Sequence, residues 1–250
     1  MANIQSRELT YNAGGVNMKG YLAWDGDVTG ERPGILIVHE WWGHNEYVCK
    51  RADMLAELGY AAMAVDMYGD GATADNPNDA GALMNGLLGD LVTVRARFNA
   101  ALECLKSQQP VNANQTAAIG YCMGGGIVLH MARYGADLDA VASFHGSLPL
   151  GVAPAGEGAE VTARIAVYHG EDDGFVPDEA IDSFKSEMRK TGADCLFITI
   201  PGAVHAFTNP AATANGEKFG IPLRYNELAD CCSWDHLQLF LQSAFKAPAR

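Results

Sequence analysis

Gly120-Tyr121-Cys122-Met123-Gly124 closes the apolar run 116–120 and opens a segment of helical period over 124–134. A strand, a glycine-flanked turn with a nucleophile at its centre and a following helix make up the Gly-x-nucleophile-x-Gly elbow, with Cys where Ser is more usual. The spacing has a steric cause. A nucleophile on strained backbone projects from the sheet edge, and the glycines on either side let strand and helix approach closely. A thiol placed there faces the positive end of a helix dipole, which favours the thiolate. The competing reading is a glycine-rich turn that holds a buried Cys; the strand before it and the helix after it weigh against that.

Working outward, the same alternation of short β-branched runs and longer helical segments covers most of the chain. Strands are expected at 34–39, 61–65, 140–144, 165–169 and 195–200, besides 116–120. Helices are expected from Asn45 as cap to Gly59, and over 91–106, 124–134, 179–190 and 227–245. Their apolar stripes, such as Ile181, Phe184 and Met188 or Leu228, Cys232, Leu237 and Leu241, should face the core. Residues 7–12 and 16–24 flank Ala13-Gly14-Gly15 and read as an antiparallel hairpin ahead of the parallel part. The pattern predicts one α/β domain over 1–250, with a mostly parallel sheet of about eight strands and helices on both faces. Residues 68–89, rich in Gly, Asp and Asn, break the rhythm and form either a lid or pocket wall or a surface excursion.

Composition bounds the function. The 250 residues are 48% hydrophobic and 19% charged, enough apolar material for a sizeable core. A formal charge of −13 repels nucleic acid and anionic membrane surfaces, so neither is an expected partner. The start of the chain lacks the apolar core of a signal peptide, and no apolar stretch reaches the roughly 18 residues of a membrane span. A cytoplasmic protein is expected. Six cysteines at these spacings form neither a disulfide framework nor a zinc motif, and no metal or cofactor is expected. Nothing marks an oligomer interface, which leaves monomer and homodimer open.

The rest of a triad should follow in chain order, nucleophile, acid, histidine, each after a strand. After 165–169 come Glu171, Asp172 and Asp173, three carboxylates that the spacing alone leaves in competition. After 195–200 comes His205, which would take the Cys proton and return it to the leaving group. One oxyanion donor would be the Met123 N–H, the other an N–H of the loop His39-Glu40-Trp41-Trp42-Gly43-His44. Glu40 beside two large aromatics needs a specific partner if it is buried. His39, His145 and His169 end strands on the same rim, where structural hydrogen bonding is the expected role. Trp42, Tyr68, Phe175, Phe207 and Asn209 are candidates to line a pocket for a small substrate.

Gly-Tyr-Cys-Met-Gly-Gly from Gly120, Glu40 after 34–39, the stretch 170–177 and His205-Ala206-Phe207 together resemble the dienelactone hydrolase (carboxymethylenebutenolidase) family of α/β-hydrolases. The resemblance spans most of the chain and implies hydrolysis of a small ester or lactone through a thioester. It selects Asp173, three residues after Gly170, as the acid. It also implies that Glu40 helps generate the thiolate and that the Trp41 N–H is the second oxyanion donor. The family holds its substrate carboxylate with two arginines, and here the pattern departs. The position four residues after His205 is Asn209, and residues 68–94 contain neither Arg nor Lys. A neutral or weakly polar ester or lactone is therefore expected, although Arg224, in the loop before the final helix, could supply a cation from another direction. Two further classes remain: a non-catalytic ligand-binding homologue, and a thiol redox protein built on Cys122.

Overall fold

Two glycines set the first turn of the chain. Gly14 and Gly15 both have positive φ, 62° and 88°, as a two-residue hairpin turn needs to match the strand twist. They join β1 (Ile4–Ala13) to β2 (Val16–Asp25), paired antiparallel from Ala13↔Val16 out to Ile4↔Asp25. The remaining strands are β3 (Arg32–Val38), β4 (Ala61–Val65), β5 (Val111–Tyr121), β6 (Ala140–Phe144), β7 (Arg164–Gly170) and β8 (Cys195–Ile200). The helices are α1 (Glu46–Glu57), α2 (Pro77–Leu88), α3 (Leu91–Lys106), α4 (Met123–Arg133), α5 (Asp178–Thr191), α6 (Ala212–Phe219) and α7 (Glu227–Lys246). This computed structural model describes residues 2–148 and 160–246. The strands form one mostly parallel sheet in the order β1-β2-β4-β3-β5-β6-β7-β8, an α/β-hydrolase fold with helices on both sides. The chain divides into two compact units, one ending at Ile119 and the other beginning at Gly120.

In the first unit β2 joins β4 antiparallel, and β3 lies parallel to β4 with Ile35↔Ala62 and Val38↔Val65 in register. All five residues of β4 and Ile35 to Val38 of β3 are wholly buried, as strands covered on both faces should be. Asn45 caps α1 by accepting the Tyr47 N–H at 3.2 Å. Where β4 ends, the buried Asp66 carboxylate accepts N–H groups of Tyr68, Gly69 and Gly71, each at 2.8 Å, and of Lys19 at 3.3 Å. One carboxylate thus fixes the exit of the strand. The connection 68–89 is not irregular throughout. Asn76 caps α2 inside it, accepting from Asn78 and Asp79 with Pro77 at the first turn. Gly81, Asn85 and Gly86 hid that helix from a propensity reading, and only Ala80 and Leu87 of it are buried.

In the second unit β6, β7 and β8 are parallel, with Ala140↔Arg164 and Ile165↔Cys195 opening the two ladders. From Met123 to Ala132 every residue of α4 is buried, which makes it a central element. α5 buries Phe184 and Met188, and Glu187 on the same helix holds Arg133 through a two-pronged contact of 2.8 and 3.0 Å. On α7 the expected stripe needs correction. Leu237 and Leu241 are buried, but Leu228 is 74% exposed and Cys232 is exposed. The inward face runs instead through Ala229, Ser233, Leu237, Phe240 and Ala244, small near the start where the helix packs closely. α6 lies in a stretch that the strand and helix patterns left unassigned.

Candidate active site

At the end of β5 the backbone turns sharply at Cys122, whose φ of 54° and ψ of −117° lie outside the region favoured by L residues. Glycine makes the turn possible. A Cβ on Gly120 would lie 2.1 Å from the Gly124 carbonyl oxygen, so strand and helix pass closer than any side chain allows. The Cys122 N–H donates to the Phe144 carbonyl at 3.0 Å and to His145 Nδ1 at 3.2 Å, which pins the turn to the end of β6. Met123 follows as the first residue of α4.

β7 and β8 deliver the other two groups. Asp173 folds back after β7, its N–H on the Gly170 carbonyl at 3.1 Å and its Oδ1 accepting the Phe175 N–H at 3.0 Å. Its Oδ2 takes the Nδ1–H of His205 at 2.8 Å. Glu171 and Asp172, the two competing carboxylates, are exposed, whereas Asp173 is 4% exposed. With Nδ1 held by the carboxylate, Nε2 is the ring atom left for Cys122, and a hydrogen bond joins the two residues. Burial by itself pulls the imidazole down. The negative charge at Cys122 and the hydrogen bonds with Asp173 and Cys122 outweigh it and lift His205 to about 10. Such a group is built to be protonated beside an anion.

Backbone strain marks the same place. Among the described residues of this unit, the non-glycine residues with positive φ are Cys122, His145 and Ala206, at the strand-to-helix turn, the end of β6 and the residue after His205. Strain of this kind persists only where surrounding structure over-determines it, and it gathers at functional sites. Phe175 lies with its ring 4.9 Å from that of His205, tilted by 60°, and is 53% exposed. It is a pocket candidate that meets the site directly from solvent. Phe207 is wholly buried with its ring on His145, and the Asn209 side chain accepts the Ala211 N–H at 2.9 Å, so both shape the loop from within. Arg224 is exposed and donates to the Gly202 carbonyl at 3.1 Å.

The remaining sequence candidates lie in the first unit. Glu40 is 3% exposed at the start of the loop after β3, and its carbonyl accepts from the Gly43 N–H and faces His39 Nδ1. His39 is wholly buried. Its Nε2 accepts the Met67 N–H at 3.1 Å, which leaves the proton on Nδ1 for the Glu40 carbonyl. Burial pushes it down to about 4, so it stays neutral and ties two loops together. The Trp41 carbonyl accepts the Tyr68 hydroxyl at 2.9 Å, while Trp42 is buried beside Trp41. Sequence reading missed Arg97, which reaches back from α3 to the Met67 and Tyr68 carbonyls at 2.8 and 2.7 Å. Arg97 lies just beyond the stretch 68–94 that holds neither Arg nor Lys. Thr208 was missed as well, since a lone Thr carries no signal in one sequence, whereas His145, expected to form hydrogen bonds at the rim, does so through both ring nitrogens.

Among the described residues no group of three His, Cys, Asp or Glu is placed to hold a metal ion, and no helix is long and apolar enough to cross a membrane. Comparison with known proteins gives a consistent result. The dienelactone hydrolase family model matches residues 18–245. A dienelactone hydrolase-like promiscuous phosphotriesterase from metagenomic libraries superimposes with a TM-score of 0.90 at 34% identity, covering 98% of this chain and 100% of that one. A solved chain named m3DLH gives a TM-score of 0.90 at 37% identity with the same coverage. Among curated proteins, Protein usf of Aquifex pyrophilus is 31% identical over 209 residues, 80% of this chain and 86% of its own.

Proposed function

The chain belongs to the dienelactone hydrolase family, and on that premise we propose that it hydrolyses a small, uncharged carboxylic ester or lactone through Cys122, His205 and Asp173. The observation that carries this reading is the line from Asp173 Oδ2 to His205 Nδ1, at 2.8 Å, and from His205 on to Cys122 at a strained strand-to-helix turn. The Cys122 thiolate attacks the carbonyl carbon, and the oxyanion that forms is held by the Met123 N–H at the start of α4. Collapse breaks the ester C–O bond, and the leaving alkoxide takes its proton from His205. In a lactone that alcohol stays tethered to the acyl group. Water then gives a proton to His205 as it attacks the thioester, the thiolate leaves, and the carboxylic acid is released. Asp173 holds the imidazole in the tautomer that serves both steps.

By the family resemblance, Glu40 would help generate the thiolate and the Trp41 N–H would be the second oxyanion donor; slower thioester formation in Glu40→Gln tests the first of these roles. Preference for a neutral substrate rests on Asn209 standing where the family has an arginine, and on Arg97 being engaged by carbonyl groups. Six unpaired cysteines, Cys122 among them, suit a reducing compartment, so we place the reaction in the cytoplasm. The phosphotriesterase relative supports a second activity, attack of the same thiolate on phosphorus.

The test is initial rates on p-nitrophenyl acetate, a simple lactone, dienelactone and paraoxon, with wild type, Cys122→Ala and His205→Ala. Hydrolysis of the neutral esters that disappears in both variants supports the reading. Activity that survives loss of Cys122 overturns it, and equal rates on dienelactone and the neutral esters overturn the substrate preference.

A further inference from the structure

We propose that His145 is a positioning residue, a bridge that holds the nucleophile turn and the histidine loop in one alignment. The inference rests on the reading of Cys122 and His205 as the reacting pair. His145 follows β6, is wholly buried, and has a φ of 40°, a conformation that disfavours any side chain with a Cβ. Its two ring nitrogens face different loops. Nδ1 accepts the Cys122 N–H at 3.2 Å, and Nε2 lies 2.7 Å from Thr208 Oγ1. A nitrogen that accepts from an amide carries no proton, so the proton sits on Nε2 and is donated to the Thr208 hydroxyl.

Thr208 is wholly buried and lies on the loop that carries His205. The His145 ring also meets the edge of His205 at 5.2 Å and of Phe207 at 5.1 Å. One imidazole therefore touches the nucleophile's backbone, the general base and the loop behind that base. An imidazole can do this because it presents an acceptor and a donor on separate edges of a rigid ring; Asn and Gln carry both on a single terminal amide.

The Cys122 N–H is shared with the Phe144 carbonyl at 3.0 Å, so it keeps a partner when the imidazole is removed. Loss of Nδ1 therefore leaves no buried donor orphaned at the turn. What it removes is the tie between two loops whose side chains must meet within a fraction of an ångström, and a misplacement near 1 Å can cost about 100-fold in rate.

The experiment compares His145→Phe, Thr208→Val, the double variant and Thr208→Ser on p-nitrophenyl acetate, with melting temperatures and NMR of protein carrying ¹⁵N-labelled histidine. His145→Phe and Thr208→Val should each lower kcat by roughly 10- to 100-fold with KM within about twofold. The double variant should be no slower than His145→Phe, because both changes cut one bridge. Thr208→Ser should keep its rate, and the wild-type spectrum should show His145 as the neutral Nε2–H tautomer. Losses that multiply in the double variant, a Thr208→Ser as slow as Thr208→Val, or a proton on Nδ1 of His145 would overturn the bridge. A Cys122→Ala protein that still hydrolyses the ester would sink the functional reading instead, and the bridge would then be judged on the His145 tautomer and its response to Thr208→Val.

Discussion

Cys122 with His205, and Cys49 with His44, are the same two side chains in different surroundings, one pair in each unit. Cys49 lies inside the regular backbone of α1, its Sγ 4.0 Å from His44 Nε2, while that nitrogen also meets the Ala64 carbonyl at 3.2 Å. A nitrogen donating to a carbonyl cannot take a thiol proton. Burial pushes the Cys49 thiol up to about 11, helped by Asp53, Glu8 and Glu46, and burial also pulls His44 down. Both groups stay neutral. At Cys122 the signs reverse: burial again opposes charge on the imidazole, but the Cys122 charge and the hydrogen bonds with Asp173 and Cys122 win. Proximity of Cys and His is common to both sites. An orienting carboxylate, an Nε2 left for the thiol and a strained turn belong only to the second.

The largest test of that contrast is removal of each thiol. Cys122→Ala and His205→Ala should lower ester hydrolysis by at least about 1,000-fold, whereas Cys49→Ala should stay within about twofold of wild type. Next comes the carboxylate. Asp173→Asn should reduce kcat by roughly 100- to 10,000-fold while the protein stays folded by circular dichroism, because the amide no longer enforces the Nδ1–H tautomer.

A third test reads the charges themselves. In wild type the His205 imidazole should titrate near 10 by NMR, and in Cys122→Ala it should fall, since burial is then opposed by Asp173 alone among the groups that raise it. The sign carries into stability. A raised His205 pKa contributes stability that is complete below 6.5 and is lost as pH rises through about 10. The urea-unfolding advantage of wild type over Cys122→Ala should therefore shrink between pH 7 and 10. His44 and His39, lowered by burial, act in the opposite direction and destabilise the fold as pH drops below 6.5, for His39 down to about 4. The smallest expected effect is at the rim. Phe175→Ala should raise KM for an aryl ester several-fold, to about fivefold, with kcat little changed, because the exposed ring touches His205 but holds no polar group.

Much of this was legible in the sequence because it is local. A strand run, two close-set glycines and a helical period around Cys122 mark a tight strand-to-helix turn, and Gly14-Gly15 marks a hairpin turn. The helices α1, α3, α5 and α7 were readable from caps and apolar spacing. α2 was not, since its glycines lower propensity and its support is a cap and a loop organised by Asp66. The α7 stripe was misplaced at Leu228 and Cys232 because periodicity gives the spacing of a buried face, not its phase when small residues can pack there.

The choice among Glu171, Asp172 and Asp173 shows where the boundary falls. Sequence alone determined that a cysteine, a carboxylate and a histidine, in that order, each follow a strand of the parallel part, because strand ends in a parallel sheet share one edge. Only tertiary structure decided that Asp173 turns inward at 2.8 Å from His205 while its neighbours face water. The same holds for His145, whose two ring nitrogens find Cys122 and Thr208 across 23 and 63 residues of chain. Hydrogen bonds depend on tenths of an ångström and on which way a ring faces, and those are settled by packing between segments that no local pattern of residues records.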